Sequence, residues 1–232
     1  MQRDRQRLYP VFLNLAGLPV TVVGGGVVAA GKLEGLIEAG ARITVVAPAI
    51  HDAIRTRAAG LLDEASHEAS ANASADASVS TSISASIRIV ERGFAPSDLD
   101  GARWVVAAAT PEVNREVAAA GAARGLFVNA VDDLASASAY LGGVVRRGSA
   151  VVAISTGGLA PALAGLLREA LEAVLPDDLE RWIDVALAAR ADWKRTGVAM
   201  AQRRPLLLRA LERIYRAPDA TAPASPDAGV GA

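Results

Sequence analysis

The sequence predicts an α/β fold in which helices cover both faces of a parallel β-sheet, a doubly wound arrangement. Apolar strand-like segments alternate with helical patterns between residues 19 and 131, and this alternation is typical of parallel sheets. In addition, the apolar segment that starts at Pro19 breaks into three consecutive glycines, and a helical pattern with Leu33, Leu36 and Ile37 follows directly. Strand, glycine turn and helix in this order form the Rossmann-like unit that binds dinucleotides.

The glycine turn predicts a nucleotide site at the start of the first helix. Gly24 permits the tight turn, Gly26 lets a pyrophosphate approach the backbone, and Ala29 is small where the helix packs on the strand. The N–H groups that begin the helix then face a phosphate. The alternative is that the turn is a purely structural part of the βαβ unit.

The second strand, residues 41–46, is followed by Ala47 and Pro48 and carries no acidic residue at its end. A carboxylate at this position usually binds the ribose hydroxyls of the cofactor, whereas an arginine accommodates a 2′-phosphate. Because neither is present, the sequence alone does not distinguish NAD from NADP.

Three further strands are predicted at residues 87–90, 104–109 and 126–131. The helix between the last two begins with Thr110 as its N-cap residue and Pro111 in its first turn, a favourable combination for starting a helix. These elements extend the alternation that a doubly wound sheet requires.

The carboxyl ends of three strands are expected to form one crevice, because ligands of doubly wound sheets bind there. These ends are the glycine turn, residues 108–110, and the pair Asp132 and Asp133. The small side chains of Ala108 and Ala109 would leave room for a flat ring. The alternative is that they only reflect a chain rich in alanine.

Two segments are expected to lie outside the packed core. Residues 64–86 consist mainly of alanine and serine, and we expect a flexible surface loop there. The final residues, 217–232, are rich in Pro, Ala, Asp and Gly and are expected to be disordered.

A second junction of strand, glycines and helix follows in the other half of the chain. Residues 150–155 predict a strand, Thr156, Gly157 and Gly158 follow, and a helix starts near Pro161. The N-terminus of this helix is a second candidate anion site. The alternative is that the two glycines form only a tight turn.

Beyond Pro176 the sequence predicts helix to about Tyr215. Nine basic residues between Arg181 and Arg216 stand against three acidic ones. Such a run is usually a solvated helix face. The alternative is that it attracts a polyanionic ligand.

Composition excludes several classes of site. The chain has 232 residues, of which 52% are hydrophobic and 4% aromatic, so we expect a core of aliphatic side chains. The net charge of −1 argues against nucleic-acid or membrane partners. There is no cysteine, and His51 and His67 are isolated, so no metal site is predicted. No signal peptide or membrane span is recognisable, which favours the cytoplasm.

Seven motifs in one order resemble the precorrin-2 dehydrogenase/sirohydrochlorin ferrochelatase family, which forms the N-terminal module of siroheme synthases. They are LYPVFLNL at 8–15, VVGGGVVA at 22–29, EAGA at 38–41, AAAT at 107–110 with Val113 and Asn114, VNAVDD at 128–133, VVRRG at 144–148 and ISTGGLAPAL at 154–163. The resemblance implies NAD-dependent oxidation of precorrin-2 to sirohydrochlorin and, in many members, insertion of ferrous iron to give siroheme.

The resemblance also implies a domain organisation and a homodimer. An NAD-binding Rossmann domain would cover residues 1–138, a dimerisation segment 139–165 and a helical C-terminal domain 166–216. The last residues, 217–232, would form the disordered tail.

Some site residues follow from the same resemblance, namely Asp132, the segment 24–28, Pro48 and Ala49, and the others follow from the strand ends, the second glycine junction and the charge of the substrate. Asp132 falls on the catalytic aspartate of the family. Cofactor contacts are expected at Gly24, Gly25, Gly26, Val27, Val28, Pro48, Ala49, Ala109 and Thr110. Contacts with the tetrapyrrole substrate are expected at Arg146, Arg147, Thr156, Gly157 and Gly158.

A carboxylate beside the macrocycle would suit both reactions. Oxidation sends a hydride to nicotinamide and needs a base for a proton, and metal insertion needs a base for the pyrrole N–H protons. The alternative for Asp132 is a turn residue or helix cap. Asp133 is expected to point to the opposite side if the strand continues through it.

Three departures from the family pattern are visible. Val27 replaces the acidic residue that often follows the glycines, and residues 139–143 lack an aromatic-x-x-Pro pattern. The chain also ends before any methyltransferase module, so the trifunctional enzyme is not expected. A different class of function is a dimeric nucleotide-sensing module without chemistry, but Asp132 and the basic helices favour an enzyme.

Overall fold

The computed structural model describes residues 7–72 and 85–216. The chain forms two compact units. Unit 1 contains residues up to 141 together with 157–159, and unit 2 contains residues 142–156 and those from 160 onward.

Unit 1 is built on a five-stranded parallel sheet in the order β3-β2-β1-β4-β5. Its strands are β1 (Pro19–Val23), β2 (Arg42–Ala47), β3 (Ser86–Glu91), β4 (Trp104–Ala107) and β5 (Val128–Ala130). Chain order reverses direction between β1 and β4, which pair side by side. This topology confirms the predicted α/β fold and creates a switch point where ligands of such sheets bind.

Helices pack on both faces of this sheet. They are α1 (Val27–Glu38), α2 (Asp52–Asn72) and α3 (Pro111–Ala122), with a short 3-10 helix at Pro96–Leu99. Leu33 of α1 and Ile54 of α2 belong to one buried cluster, whereas Val117 of α3 belongs to a second one with Val105 and Val128. The two clusters make the sheet doubly wound.

The start of α3 is confirmed as predicted. The Thr110 hydroxyl accepts a hydrogen bond from the Val113 N–H group at 3.5 Å, and Pro111 occupies the first helical position. These features satisfy or remove N–H groups that would otherwise lack a partner at the helix start.

The expectation of a loop over residues 64–86 is wrong at both ends. Helix α2 continues to Asn72, and Ser86 begins β3 with Arg42 as its partner. Alanine has the highest helix propensity, and extending an existing helix costs far less than starting one. The alanine-rich segment therefore continues the helix that starts at Asp52. The central part of the expected loop and the expected disordered tail, residues 217–232, lie outside the described residues.

Unit 2 consists of a β-hairpin and three helices. The hairpin pairs β6 (Gly143–Arg147) with β7 (Ala150–Ile154), and the helices are α4 (Pro161–Val174), α5 (Leu179–Thr196) and α6 (Met200–Tyr215). Helix is thus found from Leu179 to Tyr215 as expected, and it is divided into two helices after Thr196. Gly197 has a φ of +73° and ends α5 in the left-handed conformation.

Few side chains of unit 2 are buried. Among the residues described there, Val145 and Ala164 are the buried hydrophobic residues, and neither α5 nor α6 buries any residue. Hydrogen bonds join the start of α5 to the end of α6. Trp182 Nε1 donates to the Tyr215 hydroxyl at 2.5 Å, and that hydroxyl donates to Asp178 at 3.0 Å.

Among the described residues, no helix combines the length and apolar character needed to cross a bilayer.

Candidate nucleotide and catalytic site

A cavity of about 310 Å³ opens in unit 1 beyond the carboxyl ends of the central strands. It is lined by Val28, Ala108, Ala109, Pro111, Asn114, Val131, Asp132 and Asp133. Residues from the first turn of α1 and from the ends of β4 and β5 thus meet as the sequence predicts. The cavity lies at the switch point of the sheet, where a dinucleotide would cross it.

Two of the three glycines are required by close backbone contacts. Gly24 has a φ of +130°, and a Cβ there would lie 2.2 Å from the Ala108 carbonyl oxygen. A Cβ on Gly25 would lie 2.0 Å from the Ala49 carbonyl oxygen, and the Gly25 carbonyl accepts the His51 N–H at 2.8 Å. The turn is therefore pressed against the ends of β4 and β2.

The third glycine faces open space. A Cβ on Gly26 would meet no atom within 4 Å, and Gly26 is the N-cap residue of α1 without a side-chain cap. The N–H groups of the first helical turn have no intrahelical acceptor, and the helix dipole favours negative charge there. A group with phosphate-like charge fits this space.

The first turn of α1 presents apolar side chains and no carboxylate. Val27 and Val28 are 69% and 50% exposed, and no acidic residue occupies the first turn. Replacement of the usual acid by Val27 therefore leaves no side-chain charge here to repel a phosphate.

Asn114 holds together two loops of the cavity, and sequence reasoning did not assign it a role. Its side chain is 3% exposed. Its Oδ1 atom accepts the Ala109 N–H at 2.9 Å, and its Nδ2 atom donates to the Val131 carbonyl at 3.4 Å. An amide between Val113 and Val117, on the buried face of the helix, was the available signal.

Asp132 lies directly after β5 at the edge of the cavity. It has a φ of +58°, the one non-glycine residue with positive φ in the described part of the chain. Aspartate tolerates this conformation better than most residues, at a small energetic cost. Its carboxylate is exposed, and no described group donates a hydrogen bond to it.

Asp133 differs from Asp132 in its hydrogen bonds. Its Oδ1 atom accepts the N–H groups of Ala135 and Ser136, each at 3.1 Å. Hydrogen bonds from the Ser136 hydroxyl and N–H, and from Ala135, hold the pKa of the Asp133 carboxyl below its usual range. Asp133 is therefore an ionised turn residue with its acceptor already engaged.

The condition for the expected orientation of Asp133, a strand that continues through it, is not met. Strand alternation would send Asp133 to the opposite face, but β5 ends at Ala130 and the chain turns at Asp132. Both residues therefore line the same cavity. Alternation applies only while the backbone remains extended.

The opposite edge of the glycine turn is formed by the segment after β2. Ala49 contacts the turn as described, and Pro48 precedes it. In the neighbouring strand Glu91 pairs in register with Ala47, and its carboxylate accepts two hydrogen bonds from Arg55, both at 2.8 Å. This ion pair lowers the pKa of Glu91. Sequence reasoning missed the pair because its members are 36 residues apart.

The predicted substrate residues do not line this cavity. Arg146 and Arg147 lie in β6, and the Arg147 guanidinium donates to the Glu172 carbonyl at 3.0 Å and lies 3.6 Å from Asp177. The Thr156 hydroxyl accepts the Ala160 N–H at 3.3 Å. Gly157 and Gly158 have φ values of +64° and +73°. Their roles toward a substrate remain predictions.

No group of three or more His, Cys, Asp or Glu side chains suited to a metal ion occurs within residues 7–72 and 85–216.

A family model described as "Putative NAD(P)-binding" matches residues 11–143, which is more than half of the chain. The protein belongs to this NAD(P)-binding family. The match begins before the glycine turn and ends after Asp133, so it contains every residue of the cavity.

Curated relatives confirm the resemblance that the motifs indicated. The chain is 37% identical over 198 residues to siroheme synthase 1 of Aeromonas salmonicida and 38% identical over 198 residues to siroheme synthase 3 of Aeromonas hydrophila. Each match covers 84% of this chain and 37% of the relative. The chain therefore spans little more than a third of the length of these relatives.

A solved structure shares the fold. The protein is similar to SirC, precorrin-2 dehydrogenase, with a TM-score of 0.59, 23% sequence identity, and coverage of 87% of this chain and 88% of the other.

Proposed function

We propose that this protein is an NAD-dependent precorrin-2 dehydrogenase that produces sirohydrochlorin. The observation that carries the proposal is the exposed Asp132 carboxylate, which lines a cavity next to a glycine turn suited to a dinucleotide. The similarity to siroheme synthases and to a precorrin-2 dehydrogenase supports the choice of substrate.

The described residues fit the proposed cofactor. The open space at Gly26 would take the pyrophosphate, and Pro48 and Ala49 lie where the adenosine half would begin. Ala109 and Ala108 offer a small-residue surface for the nicotinamide ring, beside Thr110 at the start of α3. Bound NAD would supply the hydride acceptor of the oxidation.

NAD is proposed over NADP because two arginines near the ends of β2 and β3 are engaged. Arg55 is held by Glu91, and Arg92 makes two hydrogen bonds to the Asp98 carboxylate. A 2′-phosphate would have to displace one of these carboxylates. We expect NAD to support a faster reaction than NADP at equal concentration.

The chain's own residues would then handle the proton. The two-electron oxidation of precorrin-2 would transfer a hydride to bound NAD and release a proton. The Asp132 carboxylate has no competing hydrogen bond from a described residue. It can therefore accept the proton at an oxygen atom. The carboxylate of Asp133 is occupied by two backbone N–H groups and fixes the turn.

Insertion of ferrous iron into sirohydrochlorin is a second proposed activity. It requires removal of pyrrole N–H protons, and the same exposed Asp132 carboxylate is available as the base. In this reaction iron is a substrate, so a permanent metal site is not required.

We further propose a homodimer formed through the segment 139–165 and helix α4, which begins within it. Helix α4 exposes an apolar stripe with helical spacing, in which Leu163, Leu166 and Val174 are 49%, 63% and 78% exposed. An exposed apolar stripe of this kind marks an interaction surface. A second copy would cover it, consistent with the family resemblance.

The deciding experiment mixes the protein, NAD and precorrin-2 without oxygen and follows the absorption spectrum of sirohydrochlorin. We expect stoichiometric reduction of NAD together with sirohydrochlorin formation. A nucleotide-sensing module would bind NAD and produce neither. Replacing NAD by NADP tests cofactor choice, and adding ferrous iron afterwards tests for siroheme.

A further inference from the structure

We infer that Asn114 is a positioning residue, whose buried amide fixes the two loops that present the cofactor surface and the catalytic carboxylate. The effect on reaction rate rests on the dehydrogenase function proposed above. We call the Asn114 side chain with its bonds to Ala109 and Val131 the clamp, and its existence rests on these hydrogen bonds alone.

The two hydrogen bonds of Asn114 reach the segments that follow two neighbouring strands, β4 and β5. Its Oδ1 atom accepts from Ala109, which follows β4, and its Nδ2 atom donates to the carbonyl of Val131, which follows β5. Both partners are backbone groups of residues that line the cavity. One side chain therefore joins the two segments beyond the last backbone pairing of the strands.

Asp132 is attached directly to the clamped residue. The Val131 N–H group donates to the Ala107 carbonyl at 2.9 Å, so both backbone polar groups of Val131 are bonded. On the other side, the Asp133 carboxylate caps the following turn. Asp132 is thus held between two fixed points in its left-handed conformation.

Such fixation matters because proton and hydride transfer depend on geometry. Misplacement of a reacting group by about 1 Å can cost about 100-fold in rate. Loss of the bond to Val131 would leave the carbonyl of the peptide that joins Val131 to Asp132 without this donor. Loss of the bond to Ala109 would loosen the surface proposed for nicotinamide.

Asn129 provides a matched control. It is also buried, at 7% exposure, and its Nδ2 atom donates to the Ala139 carbonyl at 3.0 Å. It lies in β5 of the same unit but does not line the cavity. Asn114 loses two buried hydrogen bonds on substitution and Asn129 loses one, so a purely structural role predicts a loss of stability in both variants with no separate loss of rate.

The experiment compares Asn114→Ser with Asn129→Ser. We expect both variants to lower the melting temperature. In Asn114→Ser the single-turnover rate of NAD reduction by precorrin-2 should fall by about 10- to 100-fold, and the dissociation constant of NAD should rise. In Asn129→Ser both values should stay within about threefold of the wild type. Equal rate losses in the two variants would overturn the clamp.

A second variant tests the hydrogen bond to Val131 separately from the hydrogen bond to Ala109. Asn114→Asp keeps an oxygen for the Ala109 N–H and loses the donor to Val131. We expect it to bind NAD within about threefold of the wild type and still lose about tenfold or more in rate. An unchanged rate would contradict positioning of Asp132 through Val131. This variant also carries the comparison if Asn114→Ser does not fold.

Hydrogen exchange distinguishes this proposal from the proposed function. If wild-type protein does not oxidise precorrin-2, the dehydrogenase assignment fails, and the clamp is judged by exchange at the Ala109 amide and by NAD affinity. Faster exchange and weaker NAD binding in Asn114→Ser, relative to Asn129→Ser, would support the clamp. Identical exchange and affinity would refute it.

Discussion

The two units of the chain differ in what their side chains contact. Unit 1 contains all the largest fully buried side chains among the described residues, including Leu33, Ile43, Ile54 and Leu99. In the described part of unit 2, only Val145 and Ala164 are buried hydrophobic residues. Burial of apolar surface is the main stabilising contribution in folding. Unit 1 can therefore hold a rigid site by itself, whereas unit 2 leaves an apolar stripe of α4 exposed.

The two glycine junctions show the same contrast at a smaller scale. In the first, Gly26 stands directly at the start of α1 and its surroundings are open. In the second, the helix starts at Pro161, which has no N–H group, and the Thr156 hydroxyl already accepts the Ala160 N–H. Similar local sequences thus give one open helix start and one helix start that is partly satisfied by its own residues.

The largest expected effect tests whether the chemistry belongs to unit 1. Asp132→Asn keeps the side-chain shape and tolerates the left-handed backbone, but it cannot accept the proton. We expect turnover to fall by about 10²- to 10⁴-fold, with unchanged NAD affinity and melting temperature. Steady-state assays and calorimetry would measure these quantities.

Asp133→Asn is the matched control for that variant. It keeps an oxygen acceptor for the N–H groups of Ala135 and Ser136, so we expect a much smaller loss of turnover. Full activity in Asp132→Asn would show that Asp132 is only a turn residue and not the base. If only one of oxidation and iron insertion were lost, the two reactions would use different bases.

The next largest effect compares two glycines of the same turn. Gly24→Ala places a Cβ 2.2 Å from the Ala108 carbonyl oxygen at a φ of +130°. We expect a loss of about 3–5 kcal/mol in the free energy of unfolding, from strain and overpacking together. Gly26→Ala meets open space and should cost about 1 kcal/mol or less as an N-cap change. Denaturant titrations would measure both.

Gly26→Val extends that comparison to binding. A larger side chain at the start of α1 would occupy the space proposed for the pyrophosphate, and we expect the dissociation constant of NAD to rise at least about tenfold. Stability should change little because no protein atom is in the way. If this variant bound NAD with wild-type affinity, the placement of the pyrophosphate at Gly26 would be contradicted.

A third prediction concerns the exposed stripe of unit 2. Leu166→Glu places a charge in the proposed dimer interface, and we expect the dimer dissociation constant to rise at least about 30-fold. Leu62 of unit 1 is equally exposed, at 63%, so Leu62→Glu is the matched control and should leave the dimer intact. Analytical ultracentrifugation would measure both. Equal dimer dissociation constants for the two variants would contradict the placement of α4 in the dimer interface.

The smallest expected effect concerns the contact between α5 and α6. Tyr215→Phe removes the hydroxyl that accepts from Trp182 and donates to Asp178, while the edge-to-face ring contact is retained. We expect a loss of about 1 kcal/mol in the free energy of unfolding, since the groups are exposed to water. A much larger loss would show that unit 2 depends on this contact more than its exposure indicates.

Patterns within one segment predicted much of the fold. The alternation of strands and helices, the glycine turn and the start of α3 at Thr110 each depend on residues close together in sequence, and all three are confirmed. The prediction of a loop over residues 64–86 misses the end of α2, because low hydrophobicity does not exclude a helix and alanine favours one.

The sequence by itself determined the Rossmann-like topology and the strand ends that meet at the cavity, because local periodicity and glycine positions decide them. Only the tertiary structure decided that Asp132 and Asp133 share one cavity, that Asn114 joins Ala109 to Val131, and that Arg55 is held by Glu91. Those contacts join residues that are brought together by packing, or depend on a single backbone reversal at Asp132. Neither hydrophobic periodicity nor motif spacing encodes such geometry.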